Sequence, residues 1–106
     1  MRANPNPNPK PTTNPMAILI EPNGRRTEIK PANPKKGFEL AKLQELVGGY
    51  IECAHFGNEG KFFVVNEEGK LQGLPYNAAA TEIYARHYPG DYIVGNALLC
   101  ERGEVK

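Results

Sequence analysis

Serine is absent from this chain of 106 residues, and aspartate occurs once, as Asp91. The first absence excludes a serine nucleophile. The second excludes sites that gather several aspartates around magnesium. Cysteine is nearly as scarce, with Cys53 and Cys100 the only two. No apolar run reaches the ~20 residues of a membrane helix, and the N-terminus lacks the apolar centre of a secretory signal. These features point to a cytoplasmic protein that touches no membrane and keeps both thiols reduced. Charge of one sign is also missing. The net charge is +1, and two of the cations, Arg2 and Lys10, fall within the first fifteen residues. The remainder is close to neutral, which argues against a nucleic-acid partner, because a backbone binder needs a basic stripe.

What is present divides the chain in two. Residues 1–15, MRANPNPNPKPTTNP, hold five of the ten prolines and four asparagines. Such a tract buries too little apolar surface to offset its ordering entropy, so it is expected to be a disordered tail. Residues 16–106 are expected to form one domain.

Within that domain the turn residues punctuate short apolar runs. Met16 to Glu21 and Arg25 to Lys30 flank Pro22-Asn23-Gly24, which predicts a strand, a tight turn and a strand. From Phe38 to Val47 the apolar residues Leu40, Leu43, Leu46 and Val47 recur at helical spacing, and Gly48 follows as a stop. Tyr50 to His55 and Lys61 to Asn66 read as strands around a Gly57–Gly60 turn. The run Phe62-Phe63-Val64-Val65 suits a central strand. Pro75 predicts the first turn of a second helix with Ala80, Ile83, Tyr84 and His87 inward. Asp91 to Cys100 reads as a last strand, broken at Gly95-Asn96. Adjacent hairpins and short connections predict an α+β fold, a mainly antiparallel sheet of about five strands with two helices packed on it.

Most side chains able to hold a polar ligand sit at turns and element ends. Asn77 and Thr81 are one turn apart at the start of the second helix, where free amides attract phosphate; the bland alternative is a capped helix packed through Ala78, Ala79 and Ala80. Asn66 and Glu67 end a strand and present an amide and a carboxylate to a base or ribose, or else simply turn a hairpin. Tyr50 and Tyr76 could stack a base. Arg25 and Arg26 offer a phosphate clamp or a solvated surface. Asn96, beside Gly95, marks a bulge that could line the same pocket. Cys53, His55 and Cys100 are three potential metal ligands, but their spacing matches no structural zinc pattern. A cysteine–histidine pair involving His87, or Glu67 or His55 as a general base, is the corresponding enzymatic option.

The segments LQELVGGYIE, VVNEEGKLQGLPYNAAAT and DYIVGNAL together resemble a family of small phage- and plasmid-borne proteins of unknown function. The resemblance runs from about Met16 to Leu99. The chain departs from that family's pattern at Ala78 and Asn96, where charged residues are common. The resemblance implies a bacterial host's cytoplasm and a role in blunting host immunity. The functional expectation is a non-enzymatic accessory protein that needs no cofactor or metal and sequesters a small nucleotide-derived signal, as a homo-oligomer. The alternatives are a protein-binding inhibitor of a host enzyme and a small Cys/His-dependent nucleotide hydrolase.

Overall fold

A computed structural model describes residues 17–33, 36–57 and 60–101. The proline-rich tail, Met16 and the tip of the Gly57–Gly60 turn lie outside the described residues. Seven elements follow in chain order: β1 (Ala17–Ile20), β2 (Arg26–Ile29), α1 (Leu40–Val47), β3 (Ile51–Phe56), β4 (Lys61–Asn66), α2 (Ala78–Ala85) and β5 (Ala97–Glu101). The five strands form one sheet in the order β2-β1-β5-β4-β3, and every pairing is antiparallel. This is the α+β architecture expected from the hairpins and helical runs.

The strand period of two places alternate residues on opposite faces, and both faces are covered. Phe62 and Val64 of β4, Leu19 of β1, and Leu98 and Cys100 of β5 pack with Leu43 and Val47 of α1 and with Phe38. Phe63 and Val65, with Ile20 and Ala97, pack on the other face against Ala80 of α2 and Ile93. The helices thus lie on opposite sides of the sheet. The continuous Phe62–Val65 run follows from this: β4 has neighbours on both edges and a helix over each face, so neither half of its alternation needs to be polar.

The element boundaries differ from the sequence expectation by about a residue at the first three strands and by more at both helices and the last strand. Helix α2 starts at Ala78, because Asn77 is its cap: its backbone is extended (φ −108, ψ 94) and its side chain accepts the Ala80 amide. Pro75 therefore lies outside the helix. Helix α1 starts at Leu40; Phe38 stays buried in the core, but the capping position is Glu39. Leu40 is exposed, so the inner stripe of α1 is Leu43 and Val47 with Leu46 partly buried. The last strand begins only at Ala97. Before it, the Asn77 amide donates to Ile93 O at 2.9 Å and the Gly95 amide to Pro75 O at 2.7 Å, so this segment pairs with the approach to α2. Gly95 makes that possible with φ +71, a conformation few other residues adopt. His87 falls beyond the end of α2 and is exposed, its ring lying against Phe56.

Candidate functional site

The antiparallel order brings the end of β4, the starts of β3 and β5, and the turn between β1 and β2 to one end of the sheet. All nine candidate residues lie at or near that end. They do not form one cluster.

The asparagines are committed to the scaffold. Asn77 is fully buried; its Nδ2 donates to Ile20 O at 2.9 Å and to Gly95 O at 2.8 Å, while its Oδ1 accepts the Ala80 amide at 3.0 Å. Both donors and the acceptor are therefore engaged. The buried Thr81 hydroxyl accepts the Ile93 amide at 2.8 Å and donates to Ile93 O at 3.3 Å. Asn66, also buried, donates to Val47 O at the end of α1 and accepts the Glu68 amide at 2.8 Å. Asn96 donates to Leu46 O at 2.9 Å. Gly49 leaves room for the Asn66 side chain, since a Cβ there would stand 2.9 Å from Asn66 Nδ2. The polar residues of the motif thus tie helix ends and loops to the sheet.

Beside this network lies a cavity of about 180 Å³ on the α2 face. Its polar lining comes from three segments: Glu52 on β3, Glu67 and Lys70 in the turn after β4, and Asp91 and Tyr92 ahead of β5. Tyr84 of α2, with Ala54, Val65 and Ile93, gives it an apolar back. Glu52 stands opposite Val65 in the ladder, and the Glu67 amide donates to Tyr50 O at 2.8 Å, so the two glutamates are diagonal neighbours on adjacent strands. Lys70 Nζ donates to Asp91 Oδ1 at 3.0 Å and lies 4.2 Å above the Tyr92 ring. That hydrogen bond, together with the Tyr92 amide, holds the Asp91 carboxyl below its ordinary range, and Asp91 in turn raises the Lys70 ammonium. Burial raises the Tyr84 phenol, with Asp91 adding to the effect. Lys70 answers Asp91, which leaves Glu52 and Glu67 as acceptors facing the cavity.

Of the sequence candidates, Asn66 and Glu67 line this cavity. Tyr50 stands opposite Glu67 and is 68% exposed. Tyr76 is exposed and rests its ring 6.2 Å from that of Tyr92. Arg25 and Arg26 belong to the hairpin at the far edge of the sheet, three strand spacings or roughly 14 Å from β4. No sequence pattern singles out Glu52, Lys70 and Tyr92 with Asp91; a lone aspartate followed by tyrosine, after a proline-glycine stop, is the available signal.

The thiols do not resemble activated nucleophiles. Burial, and secondarily Glu52, raise the Cys53 thiol above its ordinary value, whereas a reactive cysteine needs the opposite. Cys100 is fully buried with Sγ 3.7 Å from Leu98 O. Among the described residues no three His, Cys, Asp or Glu side chains are grouped closely enough to hold a metal ion, and no helix is long and apolar enough to cross a membrane.

A family model described as a domain of unknown function, DUF3846, matches residues 14–105. No match was found among curated proteins or among solved structures.

Proposed function

Since the chain belongs to the DUF3846 family, a domain of unknown function, its role has to be argued from the site, and we propose that it is a non-enzymatic protein that binds a small nucleotide-derived molecule in the Glu52–Glu67–Tyr92 cavity. The observation that carries this reading is two carboxylates, Glu52 and Glu67, without an ion pair among the described residues, set with aromatic walls around one hollow. Carboxylates accept hydrogen bonds from the amino and imino groups of a base and from ribose hydroxyls. Tyr92, with Lys70 Nζ 4.2 Å over one face of its ring, supplies an aromatic wall. Three carboxylates against one ammonium repel phosphate, so the base or ribose enters and the phosphate stays outside. The cavity is smaller than the ~300 Å³ at which drug-sized sites begin, which suits one ring rather than a whole nucleotide.

Cys53 is not among the residues lining the cavity, and burial raises its thiol, so a cysteine nucleophile does not support conversion there. Sequestration of a nucleotide signal by a phage or mobile-element accessory protein, acting in the bacterial cytoplasm, is the cellular role we attach to this binding. A homo-oligomer in which a second copy covers the exposed Tyr50, Tyr76 and Leu71 fits the same reading.

The test is melting temperature against a panel of nucleosides and cyclic and linear nucleotides, followed by release of any hit by heating and analysis of what comes off. A ligand recovered intact, whose affinity falls about tenfold in both Glu67→Gln and Tyr92→Ala, supports the proposal. A converted product means an enzyme. Binding indifferent to both substitutions places the ligand elsewhere.

One observation favours a second reading, a protein-binding inhibitor. The exposed Tyr50, Leu71, Tyr76 and Tyr92 gather around the same sheet end, and aromatic residues anchor protein interfaces. Capture of one stoichiometric host protein, abolished by Tyr50→Ala with Leu71→Ala and unaffected by nucleotides, distinguishes it.

A further inference from the structure

A second hollow, of about 490 Å³, opens on the same face of the sheet at the other end of β4. Its floor is apolar, made by Phe56 of β3, Leu99 of β5 and Ile83 of α2, and its rim carries Lys61, Arg86 and His87. The two hollows have opposite character. The first is lined by three carboxylates and one ammonium, the second by two cations and an imidazole.

The rim groups are not equivalent. Lys61 stands opposite Glu101 in the β4–β5 ladder, so a carboxylate is at hand for it. Arg86 has no ion pair among the described residues. His87 is held in place: its ring lies 5.3 Å from that of Phe56, and Gly57, at φ +70, leaves the space it occupies, since a Cβ there would meet His87 Cε1 at 3.2 Å. The carbonyl end of α2 opposes an anion. Part of that opposition is removed locally, because Tyr84 O already accepts the amides of His87 and Tyr88 at 3.0 and 3.1 Å.

We propose that this hollow is a second binding site, for a small organic anion whose ring or short chain lies on Phe56, Ile83 and Leu99 while its carboxylate or phosphate is held by Arg86 beside His87. The floor removes apolar surface from water and the guanidinium supplies two parallel donors to the anionic head. The site is independent of the nucleotide reading of the first cavity.

The experiment titrates the full chain with 1-naphthyl phosphate, 1-naphthoate and uncharged 1-naphthol, following backbone amides by NMR. The two anions are expected to give saturable shifts centred on Gly57, Ile83, His87 and Leu99, with 1-naphthol about tenfold weaker. Arg86→Glu should lower affinity for the anions at least about tenfold and Arg86→Lys only partly, because Arg86 is exposed and both variants keep the fold. Tyr92→Ala should leave these titrations unchanged, even if it abolishes nucleotide binding in the first cavity. The proposal is overturned by shifts centred on Lys70 and Tyr92, by equal affinity for 1-naphthol, by Arg86→Glu binding as well as the parent, or by no saturable shift at millimolar ligand.

Discussion

Replacement of Asn77 by alanine tests whether the most distinctive residue of the LPYN segment serves the fold. Its side chain is 0% exposed and makes three hydrogen bonds of 2.8–3.0 Å, to Ile20, Gly95 and Ala80. Asn77→Ala removes the helix cap, a loss of about 1 kcal/mol. It also strips a donor from two carbonyls in the interior. Each such loss costs ~1–3 kcal/mol, toward the lower end because a carbonyl has a second lone pair. The expected total is roughly 3–5 kcal/mol, against the ~5–15 kcal/mol that small domains possess. Urea unfolding followed by far-UV circular dichroism is the assay. With a slope of about 2 kcal/mol/M, the midpoint should fall by roughly 2 M at constant slope.

A companion variant separates the parts. Asn77→Asp keeps the acceptor for Ala80 but replaces the NH2 and its two donors with one carboxylate oxygen facing two carbonyls, so it should be worse than alanine near neutrality and improve on acidification. A loss below ~1 kcal/mol for Asn77→Ala, with the slope unchanged, would refute the reasoning. Asn77 would then return to the list of residues free to meet a ligand.

Thr81→Val, nearly isosteric, leaves the Ile93 amide without its 2.8 Å acceptor; about 1–3 kcal/mol should be lost, read by the same urea assay. The Lys70–Asp91 pair predicts a small pH effect. Because the folded Asp91 carboxyl is depressed, its contribution is present above the unfolded value near 3.9 and lost as pH falls through the folded one. Lys70 is raised, so its share is complete below its unfolded value and lost as pH climbs through the folded one. Both side chains are more than two-fifths exposed, so Asp91→Asn should cost only a few tenths of a kcal/mol at pH 7, and less as pH falls through the folded value, as urea midpoints would show. Iodoacetamide at pH 8 should label Cys53 several-fold more slowly than a free peptide thiol, and Cys100 only on unfolding, checked by intact mass.

The fold was legible because its signals are local. Pro22-Asn23-Gly24 turns the first hairpin as the sequence suggests, with the Gly24 amide donating to Glu21 O, and Gly48 ends α1 at φ +80. The α2 start lies later than Pro75 suggests because Pro75 and Asn77 both signal a helix start, and only the Asn77 side chain satisfies an orphan amide there. The cavity was less legible. Whether an asparagine at an element end faces a ligand or the chain itself depends on partners remote in sequence: Asn77 reaches Ile20, 57 residues away, and Asn96 reaches Leu46, 50 away. Glu52, Lys70 and Tyr92 likewise meet only through sheet order, and no spacing within any one segment announces them.

The asparagine network and the cavity are mechanically connected. Residues 91–96 carry Asp91 and Tyr92 into the cavity wall, yet this stretch makes no ladder with the sheet. It is fixed from behind instead, by Thr81 on both polar groups of Ile93, by the Asn77 amides on Ile93 and Gly95, and by the Gly95 amide on Pro75. From the front, Lys70 holds Asp91 and Tyr76 supports the Tyr92 ring. A segment of this kind would otherwise be mobile, and ordering it at the moment of binding would cost affinity. The LPYNAAAT segment thus clamps the wall from behind, and in the proposed function Glu52, Glu67 and Tyr92 are the groups that would meet the ligand. Affinity lost in Thr81→Val should then appear as faster dissociation with loosened Asp91–Ile93 amides, whereas affinity lost in Glu67→Gln should leave those amides as they were.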